Sequence, residues 1–382
     1  MKRKFLTLAL ALVLAIAFSS GAFAATIEPE LRTSGSRITI RGPMSPEMFA
    51  QIAAFVPTAD PNKLVFSVSR LTDAEFSKIC ESYPNMVELY VSNGFDGSKS
   101  ATGLTSFAPL NQLAKAADTA LGVKADESPG VTGITSLAPL TKLTKLTALD
   151  LREFPVDRAY VLDVAGATQL KKLFIINNKG FDLSGIAKLT SLEYLAIIRS
   201  GLTDISWITN LTNLKTLSLG SSPLADYSPI AKSTITEFQS SHAEHPLDLA
   251  VLGALKNLAN VRISRQDNVT NWGALSGLTS LKHFYLDTIN EKSGGPVDLS
   301  FMKTLTGLQF SAVQKCAVTN FEALEGAKAL VQFNIEASTG ITSLAPLKGL
   351  PQLSSLRVVK GAFSAEEQAG FTNKRFKVYE RN

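Results

Sequence analysis

Hydrophobic positions recur along this chain in a fixed rhythm, clearest between Leu189 and Leu219 (LTSLEYLAIIRSGLTDISWITNLTNLKTLSL). Leu189, Leu192, Leu195 and Ile197 set a spacing that Leu211, Leu214, Leu217 and Leu219 repeat twenty-two residues later. The alternation around Leu195 and Leu217 predicts a short strand with one inward and one outward face. Between the two strands, Leu202–Ile208 (LTDISWI) is a second hydrophobic phrase, too short for a helix of ordinary length. A unit this small cannot bury its own apolar face, so a fixed period in the twenties predicts coils stacked on one another.

Aligned on that unit, the first inward strand residues are Leu89, Leu121, Leu149, Leu173, Leu195, Leu217, Phe238, Val261, Phe284, Ser311, Phe333 and Leu356. Longer steps coincide with Gly94–Ala101, Ala125–Gly130 and Asn290–Pro296, whose Gly, Ser and Pro content suits turns. Ser311 is a weak core residue, which makes its coil the least certain in register. The second phrase returns as Leu104–Leu110, Ile134–Leu140 and Ile341–Leu347, and in looser form at Leu224–Ile230, Val269–Leu275 and Val318–Leu324. Proline within several copies forbids a long helix and predicts one tight turn on the outer side.

The ends differ from the repeat. Arg37–Gly42, Lys63–Ser69 and Val87–Ser92 read as strands. Between them, a helix capped by Ser45 with Pro46 in its first turn is expected to Val56, and a second helix over Asp73–Tyr83. At the other end Ser364–Glu367 reads as a capping box and Phe376–Tyr379 as a last strand. The expected division is a leader over 1–24, an N-terminal strand–helix cap over 25–85, repeats over 86–360 and a C-terminal cap over 361–382. The leader assignment rests on Lys2, Arg3 and Lys4, the apolar run Phe5–Phe18, and Ala22 and Ala24 placed for cleavage.

The two recurring phrases, L-x-x-L-x-x-L-x-L and I-T-S/D-I/L-x-P-L, resemble the bacterial leucine-rich repeats of internalin-like surface proteins over roughly Met86–Val359. The resemblance implies an α/β solenoid, a horseshoe with a parallel concave sheet and strand–helix caps, and it implies a protein or peptide partner. Such repeats usually carry Asn three residues after the second strand leucine. Here Asn178 alone does, the others being Gly94, Phe154, Ser200, Ser222, Ala243, Gln266, Ile289, Cys316, Ser338 and Gly361.

In such a fold the outward strand positions form the concave face, where a ligand can meet many coils. Most are small or polar. Phe174, Ile176, Tyr194 and Ile198 break that pattern on neighbouring coils, rimmed by Asp150, Arg152 and Lys172. An apolar patch with a charged rim is a candidate partner site, weighed against side chains that a loop covers or that merely favour strands. Arg262, His283, Tyr285 and Asp287 form a second, weaker patch.

Composition narrows the function. The net charge of +5 falls to +2 without Lys2, Arg3 and Lys4, which gives little reason to expect nucleic acid or membrane. Cys80 and Cys316, the only cysteines, lie far apart in sequence and read as buried apolar residues. His242 and His245 lack the helical i, i+4 spacing of a metal pair, and phosphate-loop, nucleophile-elbow and dinucleotide fingerprints are missing. The expectation is a monomeric non-enzyme without cofactor or metal, secreted, periplasmic or at the cell surface, with no stable anchor. A glycan binder from the cell envelope is the alternative; it calls for aromatic rings spread along the face beside paired carboxylates or amides.

Overall fold

A computed structural model of the chain describes residues 30–69, 71–86, 88–92, 119–124, 141, 146–152, 160–161, 163–177, 181–369, 371 and 377–381. The expected leader, the insertions at 94–101 and 125–130, the phrases at 104–110 and 134–140, and positions 154 and 178 lie outside these residues.

One open sheet of sixteen strands runs the length of the described chain. Its strands are β1 (Glu30–Ser34), β2 (Arg37–Arg41), β3 (Val65–Ser69), β4 (Glu88–Ser92), β5 (Thr119–Lys124), β6 (Leu146–Arg152), β7 (Lys172–Ile176) and β8 (Tyr194–Ile198). They continue as β9 (Thr216–Gly220), β10 (Glu237–Ser241), β11 (Asn260–Gln266), β12 (His283–Ile289), β13 (Phe310–Gln314), β14 (Gln332–Asn334), β15 (Ser355–Val359) and β16 (Lys377–Arg381). From β2 onward each strand pairs in parallel with the next. The registers join Leu89, Leu121, Leu149, Leu173, Leu195, Leu217, Phe238, Val261, Phe284, Ser311, Phe333 and Leu356 in one row, as the periodicity predicts. Leu195, Leu217, Phe238, Phe284 and Phe333 are at most 1% exposed. Burying each such side chain contributes roughly 1.5–3 kcal/mol, and only the neighbouring coils provide the cover.

The second phrase folds as single 3-10 turns on the outer side, among them Ser206–Asn210, Ser228–Lys232, Trp272–Gly277, Leu299–Thr304 and Phe321–Gly326. Asp204, Asp226 and Asp298 open three of these turns, and Asp248 the short α-turn at Ala250–Gly253, by accepting the amide of the residue two further on. Asn271 and Asn320 each donate from the next coil, to Asp248 and Asp298 respectively, linking the turns into a stack. Trp272 is 6% exposed and its ring stacks on Phe301, so it belongs to the core.

From β7 to β14 the coils leave the sheet through a left-handed residue. Asn177, Arg199, Ser221, His242, Arg265, Thr288, Lys315 and Ala337 all have φ between 46° and 58° and follow the last outward strand position. For a residue with a Cβ that backbone costs roughly 1–2 kcal/mol. The turn swings the next residue inward, and the left-handed residue's own amide reaches the next coil: Arg199 to Gly220 O, Ser221 to Ser241 O, His242 to Ser264 O. The inward residue sits where the repeat usually places Asn, and here shorter groups do that work. Ser200 Oγ donates to Ile175 O and Ile198 O, Ser222 Oγ to Gly220 O, and Ser338 Oγ to Val313 O while accepting from Cys316 N. Gln266 accepts from Ser240 Oγ, so two polar intrusions into the core partly satisfy each other.

The terminal elements extend the same sheet. The helices α1 (Pro46–Phe55) and α2 (Asp73–Ser82) form where the pattern places them, Ser45 capping the first and a Thr72–Glu75 capping box the second. The alternation does not reveal β1. It pairs antiparallel with β2 through a turn at Gly35 (φ 59°), and its own residues are mostly exposed, which removes the hydrophobic signal. At the C-terminus the capping box is half formed. Ser364 Oγ accepts from Glu367 N, but the Glu367 carboxylate accepts from Leu344 N and Ser343 Oγ on the preceding coil.

Ser311 stands in register between Phe284 and Phe333, 6% exposed, and its hydroxyl has no hydrogen-bond partner. Ser311→Ala is therefore expected to raise stability by about 1 kcal/mol in urea denaturation, because a buried orphan hydroxyl is removed. Phe284→Ala in the adjacent coil should lower it by about 3–5 kcal/mol. Cys80 and Cys316 are free and buried, and burial pushes their thiols up to about 12 and about 11. At a pH of about 8 neither thiol should react with a disulfide reagent until the protein is denatured; rapid native labelling of either would contradict this packing.

Candidate binding surface on the concave sheet

Outward strand side chains stand in three columns across the sheet. The first runs Lys172, Tyr194, Thr216, Glu237, Asn260, His283, Phe310, Gln332, Ser355. The second runs Asp150, Phe174, Ala196, Ser218, Gln239, Arg262, Tyr285, Ala312, Asn334, Arg357, and the third Arg152, Ile176, Ile198, Gly220, Ser241, Ser264, Asp287, Gln314. Neighbours within a column are separated by about 4.8 Å, the spacing of adjacent strands.

The residues of the first predicted patch meet on β7 and β8. The rings of Phe174 and Tyr194 lie 4.8 Å apart at 33°, both half-buried, and Ile176 pairs with Ile198 beside them. Ala196, between the rings and the isoleucines, is only 2% exposed although it points outward. Burial pushes the Tyr194 phenol above its usual range, with the Glu237 charge adding to the effect. Lys172 is exposed next to Tyr194, Asp150 pairs with Phe174, and Arg152 pairs with Ile176.

Beyond the patch the surface drops. Thr216, Ser218 and Gly220 of β9 are buried on the outward side because their side chains are short. Gly220 keeps the strip low, since a Cβ there would come within 2.6 Å of Ser241 Oγ and force that hydroxyl to move. This low polar strip separates the two predicted patches, which the sheet does not merge.

The second patch is assembled by stacking along the columns. The Arg262 guanidinium lies 4.2 Å from the centre of the Tyr285 ring, and His283 stacks on Phe310 at 5.0 Å. His283 Nδ1 is hydrogen-bonded to Asn260, whose amide donates to Glu237. Asp287 is half-buried and accepts from the Thr288 hydroxyl. A depression of about 330 Å³ adjoins this patch; His283 and Tyr285, both chosen from the sequence, line it, while its other lining residues were not chosen. Ala312 forms its floor, Tyr285 and Phe310 its apolar walls, and Gln332, Asn334, Ser355 and Arg357 its polar side. Ala312, small beside Tyr285 in its column and next to Phe310 on its own strand, is the sequence signal for it.

His242 occupies the left-handed turn and His245 is an exposed turn residue; among the described residues no group of three metal-ligating side chains occurs. No helix among the described residues is long and apolar enough to cross a membrane.

No family model matches the chain, and no curated protein matches its sequence. Solved structures do. The internalin InlF from Listeria monocytogenes str. 4b F2365 is 20% identical, with a TM-score of 0.57 over 78% of this chain and 81% of its own. The LRR protein LIC12759 of Leptospira interrogans is 13% identical, with a TM-score of 0.45 over 88% and 92%. TLR13, solved as a complex with ssRNA13, is 16% identical, with a TM-score of 0.53 over 88% of this chain, which spans about half (52%) of that one. Stacked coils in one open parallel sheet, each closed by a tight outer turn, give this chain the leucine-rich-repeat solenoid fold seen in internalins.

Proposed function

We propose that this chain is an exported leucine-rich-repeat scaffold that captures a protein or peptide on its concave face. The observation that carries this reading is the Phe174–Tyr194 ring pair with Ile176 and Ile198, half-buried on a face whose other outward residues are mostly polar. Aromatic side chains that keep part of their surface in water stand to lose it on association, which drives binding. Export is inferred from the leader signals at residues 1–24, and the protein class of partner from the likeness to internalin repeats. One observation favours glycan capture as a second reading. Tyr285 and Phe310 line the 330 Å³ depression opposite the amides of Gln332 and Asn334, a pairing of ring faces and amides that suits a sugar.

Both readings can be tried with the protein immobilised as bait against envelope and host-surface fractions and against a glycan array. Wild type should retain a specific protein that the double variant Phe174→Ser, Tyr194→Ser does not. The double variant should stay folded, losing about 1–2 kcal/mol, since the rings are only partly buried. Retention of a glycan with no protein, or a double variant that unfolds, would count against the proposal.

A further inference from the structure

The left-handed residues that close each coil form a row along the rim of the concave face, one coil apart. Four of the eight are basic or imidazole: Arg199, His242, Arg265 and Lys315; none is acidic. The four are exposed, and from Arg199 on β8 to Lys315 on β13 the row spans roughly 24 Å. Among the described residues no carboxylate lies within ion-pair distance of Arg199, Arg265 or Lys315. Asparagine or glycine would take the left-handed backbone with less strain, and elsewhere the chain does use Asn268, Asn271, Asn290 and Asn320 for it. Beyond the contact of Arg265 with His242 the turn gains nothing from these long cations, and residues at a strained backbone without a structural return point to function. Arg199 directly follows Ile198, so the row begins at the apolar patch.

We propose that this ridge is the electrostatic half of the concave binding surface and that the partner lays an acidic peptide segment along it. The apolar part of that segment would meet Phe174 and Tyr194, and its carboxylates would follow Arg199, His242, Arg265 and Lys315. The inference rests on the concave face being a protein-binding surface. Uncharged Ser221 and Thr288 interrupt the row, so Arg199 and His242, and likewise Arg265 and Lys315, stand two coils or roughly 10 Å apart, while His242 and Arg265 are on adjacent coils roughly 5 Å apart. In an extended chain the roughly 10 Å step covers three residues, which suits carboxylates three residues apart within each of the two pairs. A partner that needs apolar side chains and carboxylates on one backbone is a peptide.

His242 makes the ridge sensitive to pH. Arg265 adjoins it on one side, with a guanidinium nitrogen 3.4 Å from its Nε2, while Ser221 and then Arg199 follow on the other. Glu244 and His245 continue its own turn, and Asp267 in the next turn accepts from Lys292 N. Partial burial, then Arg265, then Arg199 hold the imidazole below its usual pKa, so the free ridge carries it neutral near pH 7. A bound carboxylate favours the charged ring and raises that pKa. Binding therefore takes up a proton, and affinity rises as the pH falls through the range between the free and bound values.

The probes are two synthetic peptides with the same phenylalanine–valine head, one with glutamate and the other with glutamine at every third position of an extended tail. Fluorescence anisotropy with the full chain should show tighter binding of the glutamate peptide, weakening as ionic strength rises from about 0.05 M to about 0.5 M. Arg199→Asn with Arg265→Asn keeps residues that tolerate the left-handed turn, and should weaken it roughly three- to tenfold. His242→Asn should abolish the gain in affinity between about pH 7.5 and pH 6. Equal binding of both peptides, or no effect of the arginine variants, overturns the proposal. Tighter, arginine-dependent binding of polyuridylate or heparin than of the glutamate peptide overturns the peptide assignment. Arginine-dependent binding that Phe174→Ser with Tyr194→Ser leaves untouched supports the ridge and contradicts the concave apolar patch.

Discussion

No coil of this protein can bury its own leucines. Each strand offers two or three inward side chains and each outer turn a few more, and only the coil above and the coil below exclude water from them. That mutual cover fixes the register, because a slip of one residue would turn an entire inward row onto the wet face. It also explains how Ser311 can hold a core position: Phe284 and Phe333 on either side define the row, and the serine follows at the cost of an unpartnered hydroxyl. Gln266 and Ser240 show a milder form of the same tolerance, answering one another across coils.

Once the inward row is committed to stacking, variation is confined to the outward columns, the outer turns and the left-handed exits. The outer turns are short helical segments of two builds, opened by an Asp or Ser side chain or preceded by a left-handed Asn. The concave columns are not uniform. They pass from the Phe174–Tyr194 patch over the low strip of Thr216, Ser218 and Gly220 to the Arg262–Tyr285 and His283–Phe310 stacks and the adjoining depression. The exits add a row of positive charge along one edge of the same face. Apolar surface, polar relief and charge thus coincide where a partner could touch many coils together.

Much of the solenoid was legible in the sequence because its stabilising element is a period. Leu195, Leu217 and their equivalents repeat at a spacing that needs no knowledge of distant contacts, and even Ser311 follows from counting. The concave candidates were legible for the same reason: alternation assigns Phe174 and Tyr194 to one face once Leu173 and Leu195 are assigned to the other. What the sequence did not disclose depends on contact or backbone shape. The closeness of the Phe174 and Tyr194 rings is set by side-chain direction across two strands. The depression over Ala312 exists through the bulk of Tyr285 and Phe310 on neighbouring strands. Apart from Asn177, the left-handed exits are filled by Arg, Ser, His, Thr, Lys and Ala, residues that do not favour the left-handed backbone, so φ identifies the row. The edge strand β1 was hidden because its residues are mostly exposed and carry no hydrophobic pattern.

Hydroxyl-radical footprinting of the protein with and without its captured partner addresses the concave face directly, since Phe174, Tyr194, Tyr285 and Phe310 are oxidisable and each reports its own stretch of the sheet. A binding surface centred on β7 and β8 predicts strong protection of Phe174 and Tyr194 on complex formation, with little change on the outer turns. Protection confined to the outer 3-10 turns, with Phe174 and Tyr194 oxidised as fast as in the free protein, would contradict it.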